Sequence, residues 1–205
     1  MVANSDRHWA LILGASSGFG EATARELARC GVDICGVHLD RRAGRAHVED
    51  ITAAIRATGR QALFFNVNAA DHDKRRQVLD ALAARIAEDG CGNVRVLMHS
   101  LAFGSLHPFA GADRAQLVTP AQITMTLEVM AHSLVYWVQD ALARGLLARG
   151  SRVLAMTSAG ATRVWPGYGA VSAAKAALEA HVRQLAVELG TSGVTVNAIR
   201  AGVTD

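Results

Sequence analysis

Nowhere in this 205-residue chain does an apolar run approach the roughly 18 residues that span a bilayer, so no membrane partner is expected. Met1 to His8 are polar and lack the apolar centre of a signal peptide. Only three cysteines occur, and Cys30, Cys35 and Cys91 show neither a CxxC pair nor metal-ligand spacing. Cys30 and Cys35 fall in expected regular structure, where cysteine acts as a small buried hydrophobe. A reducing cytoplasm suits this usage. His107, His132 and His181 give no coherent metal set, and no carboxylate pair stands out, so no metal is expected. The net charge is +3 and the sequence pI about 9.1, but the basic residues are dispersed. The local clusters, Arg41, Arg42 and Arg45, and Lys74 to Arg76, are not long basic runs with interleaved aromatics. A nucleic-acid partner is therefore not expected. The mild excess better suits an anionic small ligand or an acidic carrier protein.

What the chain does have is 51% hydrophobic and 19% charged content, enough for one well-buried domain over residues 1–205. Short apolar runs at 9–13, 33–38, 62–67, 94–98, 152–157 and 194–199 read as buried strands. Helical stripes lie between them. Val78, Leu79, Leu82 and Ile86 share one face, and Ile123, Leu127, Met130, Leu134, Val138 and Leu142 form a longer one. A third runs from Val171 to Leu189. Apolar strands joined by helices imply an α/β fold, a doubly wound parallel sheet of Rossmann-like type covered on both faces. The one loop of note runs from Phe103 to Pro120.

The first strand leads into Gly14-Ala-Ser-Ser-Gly18-Phe19-Gly20 and a helix expected from about Glu21 to Cys30. Gly14 permits a tight turn, Gly18 a close backbone approach, and Gly20 helix-to-strand packing. The helix start would offer free N–H groups and a positive dipole end to a diphosphate, with Ser16 and Ser17 as added hydroxyl donors. An ordinary strand-to-helix turn also uses glycine. The place after the first strand of an alternating pattern favours the phosphate reading.

Tyr168 and Lys175 lie seven residues apart at the head of the last helical stripe. On a helix that spacing is about 700° of rotation and roughly 10 Å of rise, so the two share a face. Long helical side chains lean toward the N-terminus, which brings the ammonium back toward the phenol. At about 5 Å and an effective dielectric near 20, their Coulomb attraction is roughly 3 kcal/mol in favour of the phenolate. Tyr168 would then serve as a proton or hydrogen-bond donor. An exposed tyrosine beside a solvated lysine is the alternative for this pair alone.

Together these residues resemble the short-chain dehydrogenase/reductase superfamily over essentially the whole chain. The glycine turn is similar to its cofactor motif, with Leu13 for the usual Thr. Asn66-Val67 is similar to the strand end that touches adenine, and Val194 to Gly202 to the segment flanking nicotinamide, with Ala201 for Pro. Three features resemble the enoyl-acyl carrier protein reductase branch: Met98-His-Ser-Leu-Ala-Phe103, the Tyr168-x6-Lys175 spacing, and the segments Arg163 to Tyr168 and Ala174 to Ala180. Val171 stands where ordinary relatives carry their tyrosine. The chain departs from the branch at Ser158, where many members have a second tyrosine. Ser158 coincides with the serine of carbonyl-reducing relatives.

That resemblance implies a nicotinamide-dependent oxidoreductase of an enoyl thioester, on acyl carrier protein or coenzyme A, in acyl-chain synthesis. It implies that Tyr168, Lys175 and Ser158 are the catalytic group. Gly14, Ser16, Ser17, Gly18, Phe19, Gly20, Asp40, Arg41, Asn66, Val67, Ser100, Leu101, Ala102 and Lys175 would line the dinucleotide. Ser158 is either a second donor to substrate or a strand-end turn residue. A ketoreductase or alcohol dehydrogenase is the alternative activity, and a cofactor-binding scaffold without turnover a further one. At the end of the second strand, His38 fills the usual acidic position, with Asp40 two residues beyond and Arg41 and Arg42 next. Arg would pair with a 2′-phosphate, so the expected cofactor is NADPH, with NADH possible. The resemblance also implies a homotetramer or homodimer, and a C-terminal substrate-covering region that would follow Asp205.

Overall fold

The computed structural model describes residues 7–90 and 92–202. Six strands form one parallel sheet in the order β3-β2-β1-β4-β5-β6: β1 (Trp9–Leu13), β2 (Asp33–His38), β3 (Ala62–Asn66), β4 (Val94–His99), β5 (Arg152–Ser158) and β6 (Thr195–Ala201). The order reverses between β1 and β4. In such sheets the crevice at the carboxyl ends of those two strands is where ligands bind.

Every residue of β1 and β2 is buried, which is why their sequences are apolar without alternation. On one face pack α1 (Gly18–Arg29) and α2 (Arg45–Ala57), closing over Ala10, Ile12, Ile34 and Met98. On the other pack α3 (His72–Asp89), α4 (Pro120–Leu127), α5 (Ser133–Ala143) and α6 (Gly169–Gly190), covering Leu11, Leu13, Leu97 and Val153. Trp137 is fully buried there and its indole N–H donates to the Ala69 carbonyl at 2.8 Å. At the opposite end of the sheet, the buried Asp33 carboxylate accepts from Arg7 at 2.5 Å and from the Gln61 N–H at 2.7 Å, joining β1, β2 and β3. Arg75, from the second basic cluster, is buried rather than free for a polyanion. It donates to Asp140 at 2.6 Å and lies over the Tyr136 ring at 5.4 Å.

Several expectations need correction. The segment after Arg42 forms α2, whose buried Val48, Ile51 and Ile55 recur at helical spacing. The Ile123–Leu142 stripe is not one helix, because a π-helical turn at Glu128–His132 separates α4 from α5. One extra residue in that turn rotates the stripe and keeps Met130 and Leu134 facing the core. Cys35 is buried and its thiol pKa pushed up, but Cys30 caps α1 and is exposed. Cys91 lies outside the described residues. The loop before α4 contains a 3₁₀ turn at Arg114–Gln116 and ends in a Thr119/Gln122 capping box. Among the described residues β6 is an edge strand, with Thr195 and Asn197 to Arg200 all exposed. Among the described residues, no helix is long and apolar enough to cross a membrane.

Candidate active site

Two clefts meet at the carboxyl ends of β1 and β4. The first, of about 270 Å³, runs from the glycine turn past the end of β2 to Val67, Asn68 and Ala69. Gly14 has φ +89°, and a Cβ there would stand 2.3 Å from the Ser100 carbonyl oxygen. A Cβ on Gly20 would stand 1.9 Å from the Gly14 carbonyl oxygen, so helix and turn touch through main chain alone. Gly18 has φ +51° and open space beside it. The Gly14 and Ala15 N–H groups are held by the Val37 carbonyl at 2.8 and 3.1 Å. Ser17 caps α1 without a side-chain hydrogen bond to the helix. Free N–H groups at that helix start, two serines and a Cβ-free approach fit a dinucleotide diphosphate.

Among the residues expected here, Gly14, Ser16, Ser17, Asp40, Val67, Ser100, Leu101 and Ala102 line this cleft. Asn66 does not. Its amide pairs with the Asp40 main chain, accepting from the N–H at 3.0 Å and donating to the carbonyl at 2.9 Å. The Asp40 carboxylate meets His38 Nδ1 at 2.7 Å. Arg41 is exposed and lies outside the lining, whereas the exposed Leu39 is part of it. Leu39 and Asn68 carried no signal in the sequence, because strand-end loop residues follow no period.

The second cleft, of about 320 Å³, shares Ser100, Leu101 and Ala102 with the first and continues past Phe19 to Ser158, Tyr168, Val171 and Lys175. The three expected catalytic residues therefore face one space. Tyr168 does not open the helix as a helical residue. It is the N-cap of α6, at φ −90° and ψ 3°, with its ring half-buried. Lys175 is buried two turns on, and its ammonium donates to the Met156 carbonyl at 2.7 Å and the Leu101 carbonyl at 3.3 Å. Burial lowers its pKa to about 8. Two of the three ammonium N–H groups are thus taken by main-chain carbonyls, which leaves one donor. Ser158 ends β5, where its Oγ accepts from the Gly160 N–H at 3.1 Å while facing the cleft. It is a turn residue whose own O–H remains available as a donor.

Beneath the shared segment His99 is fully buried, with Nε2 2.9 Å from the Ser133 hydroxyl. Burial, reinforced by the Lys175 charge, pushes its pKa down to about 3, so it stays neutral. Exposed Leu106 lines the second cleft and exposed Phe103 the first. Trp165 packs edge-on against the Tyr168 ring, 5.5 Å between centroids. His132 and His181, far apart in sequence, come within 3.0 Å across α6, and among the described residues no group of three or more candidate ligands could hold a metal.

Residues 14–205 match the family model described as Enoyl-(Acyl carrier protein) reductase. The chain is 32% identical over 141 residues to the NADH-dependent enoyl-acyl-carrier-protein reductase of Nostoc, covering 69% of this chain and 51% of that one. It is 27% identical over 199 residues to the 1-cyclohexenylcarbonyl-CoA reductase of Streptomyces collinus, covering 97% and 65%. The chain thus spans between half and two thirds of the length of these relatives. A short-chain dehydrogenase from Burkholderia cenocepacia solved with NADP superposes with a TM-score of 0.80 at 29% identity, over 99% of this chain and 76% of that one. With geometry and likeness in agreement, the chain belongs to the enoyl-acyl carrier protein reductase family of the short-chain dehydrogenase/reductase superfamily.

Proposed function

We propose that the protein reduces the carbon–carbon double bond of an enoyl thioester with a nicotinamide dinucleotide. The observation that carries this reading is the placement of Tyr168 three residues before Val171, with both side chains and Lys175 lining one cleft. In carbonyl reduction the proton goes to the oxygen bonded to the carbon that receives hydride, so the acid stands close to the nicotinamide. In an enoyl thioester the charge develops on an oxygen two bonds farther along. A phenol set back from position 171 to 168 suits that longer reach.

When bound, the reduced dinucleotide would supply a hydride to the β-carbon, and a proton from solvent would complete the α-carbon. The chain's own part is to orient and to stabilise. Tyr168 donates to the thioester oxygen as it gains enolate charge. The Lys175 ammonium, held by the Met156 and Leu101 carbonyls, would hold the ribose hydroxyls and place positive charge in the cleft that Tyr168 lines. The glycine turn and the α1 N-terminus take the diphosphate. Leu106, Met130 and Val171 give the second cleft an apolar wall against which the acyl group packs. We assign the carrier to acyl carrier protein or coenzyme A. The cofactor is assigned to NADPH because Arg41 and Arg42, though outside the lining, directly follow Asp40 at the cleft wall, with NADH retained because the Asp40 carboxylate stands at that wall.

Ser158 favours a second reading, a ketoreductase, because its hydroxyl faces the cleft from the end of β5. One assay separates the two. Oxidation of NADPH and NADH is followed spectrophotometrically with crotonyl and acetoacetyl thioesters in parallel. Turnover of the crotonyl thioester supports enoyl reduction. Turnover of the acetoacetyl thioester alone replaces it with the ketoreductase.

A further inference from the structure

Between β5 and α6 the chain makes a 3₁₀ turn at Ala159–Ala161, and its middle residue, Gly160, is buried. A Cβ built on Gly160 would stand 2.4 Å from Cε1 and 3.2 Å from Cδ1 of Tyr168, and 3.1 Å from Ser158 Oγ. Gly160 is not among the glycines with positive φ, so its backbone does not call for glycine. The ring of Tyr168 does.

The turn is also tied down on both sides of that glycine. Its N–H donates to Ser158 Oγ, and its carbonyl accepts a short hydrogen bond from Ser172 Oγ. Ser172 lies one turn along α6, with its N–H donating to the Tyr168 carbonyl at 2.8 Å. A single residue on the helix that carries the phenol thus grips the turn on which the phenol rests. Trp165 closes the ring from another side.

We propose that Gly160 is a positioning residue. Its bare Cα is the seat of the Tyr168 ring, and the Ser172 clamp fixes that seat relative to α6 and to Ser158. The proposal rests on the reading of Tyr168 as donor to the thioester oxygen. A methyl at Gly160 would force the ring aside by about 1 Å, a misplacement that typically costs on the order of 10²-fold in rate. The dinucleotide cleft does not include Gly160, so cofactor binding should not follow.

The test compares Gly160→Ala, Tyr168→Phe and the double variant in turnover of crotonyl thioester, with dinucleotide Kd from nicotinamide fluorescence and Tm recorded for each. Expected is a fall in kcat of about 10²-fold for Gly160→Ala at unchanged dinucleotide Kd. In the Tyr168→Phe background the same change should cost less than about threefold, because coupled residues do not add. Ser172→Ala should lower kcat by about tenfold through a looser seat, and Ser172→Thr, which keeps the hydroxyl, should restore it. Should Gly160→Ala fail to fold, the Ser172 pair reads the same seat. Wild-type kcat in Gly160→Ala or in Ser172→Ala, or a full additive loss in the double variant, overturns the proposal while Tyr168→Phe remains slow. Wild-type kcat in Tyr168→Phe overturns instead the reading on which it stands.

Discussion

The two clefts that meet at Ser100 to Ala102 are built by opposite means. The dinucleotide cleft is made by main chain: Gly14 against the Ser100 carbonyl, Gly20 against the Gly14 carbonyl, and N–H groups at the head of α1. These close approaches need chiefly the absence of side chains, and the Gly14 one joins turns far apart in sequence. The Tyr168 cleft is made by side chains from α1, the loop after β4, the π turn, β5, α6 and β6, brought together from across the chain. The first is a rigid receptacle for a constant ligand part. The second is a constellation in which one misplaced ring alters chemistry without altering the fold.

That contrast can be broken most forcefully at Tyr168. Removal of its hydroxyl as Tyr168→Phe should lower turnover by ~10²–10³-fold, as loss of a placed donor does, and leave dinucleotide affinity intact. Stopped-flow turnover and equilibrium titration together check both halves. The converse variant is Gly20→Ala. Its methyl would meet the Gly14 carbonyl oxygen at 1.9 Å, so the main chain must move. Overpacking of this kind costs about 1–3 kcal/mol in stability, and dinucleotide affinity should fall with it. Denaturant unfolding and a binding titration report the two losses.

His99 sharpens the comparison, since it sits beneath the segment both clefts share. Its folded pKa of about 3 lies below the ordinary histidine value of 6.5. The unfolded chain therefore binds the extra proton. Stability is fully present above pH 6.5 and is lost as pH falls toward 3, with a slope from this group of about 1.4 kcal/mol per pH unit. His99→Gln should flatten the acid limb of the stability curve relative to wild type, measured by urea unfolding between pH 4 and 7. The smallest effect belongs to the exposed basic pair. Arg41→Ala with Arg42→Ala should reduce the preference for NADPH over NADH by roughly tenfold or less, the range of one exposed charge-assisted contact. An unchanged ratio of kcat/KM values would remove both arginines from cofactor choice.

The difference between the clefts also explains what could be read from the sequence. Uninterrupted apolar pentapeptides such as Trp9–Leu13 announce a doubly covered parallel strand, and all six strands lie within a residue or two of their expected limits. The glycine turn was legible for the same reason, since its spacing is local. The helix α2 was not named, although Val48, Ile51 and Ile55 carry its period, because flanking arginines drew the segment toward a charge reading. The π turn was invisible: a stripe drawn at 3.6 residues per turn does not register one inserted residue. In the second cleft, Tyr168 and Lys175 were legible through their spacing, and Ser158 through the family resemblance alone. Their supports were not. Gly160, Met130 and Leu106 reach the site by tertiary packing, which no sequence period encodes. Nor legible were the Met156 and Leu101 carbonyls that hold the Lys175 ammonium, acceptors that a buried ammonium needs close by.

The lowered pKa of that lysine has a consequence for cofactor capture. With its pKa near 8, the Lys175 side chain loses its proton over the alkaline range in which a solvated lysine keeps it. Ribose hydroxyls that accept from the ammonium favour the cationic form, so around and above pH 8 binding draws protons from the buffer in proportion to the neutral fraction. Cofactor association becomes proton-coupled: calorimetric heats scale with the buffer's ionisation enthalpy, and the grip on the dinucleotide weakens as the medium turns more basic.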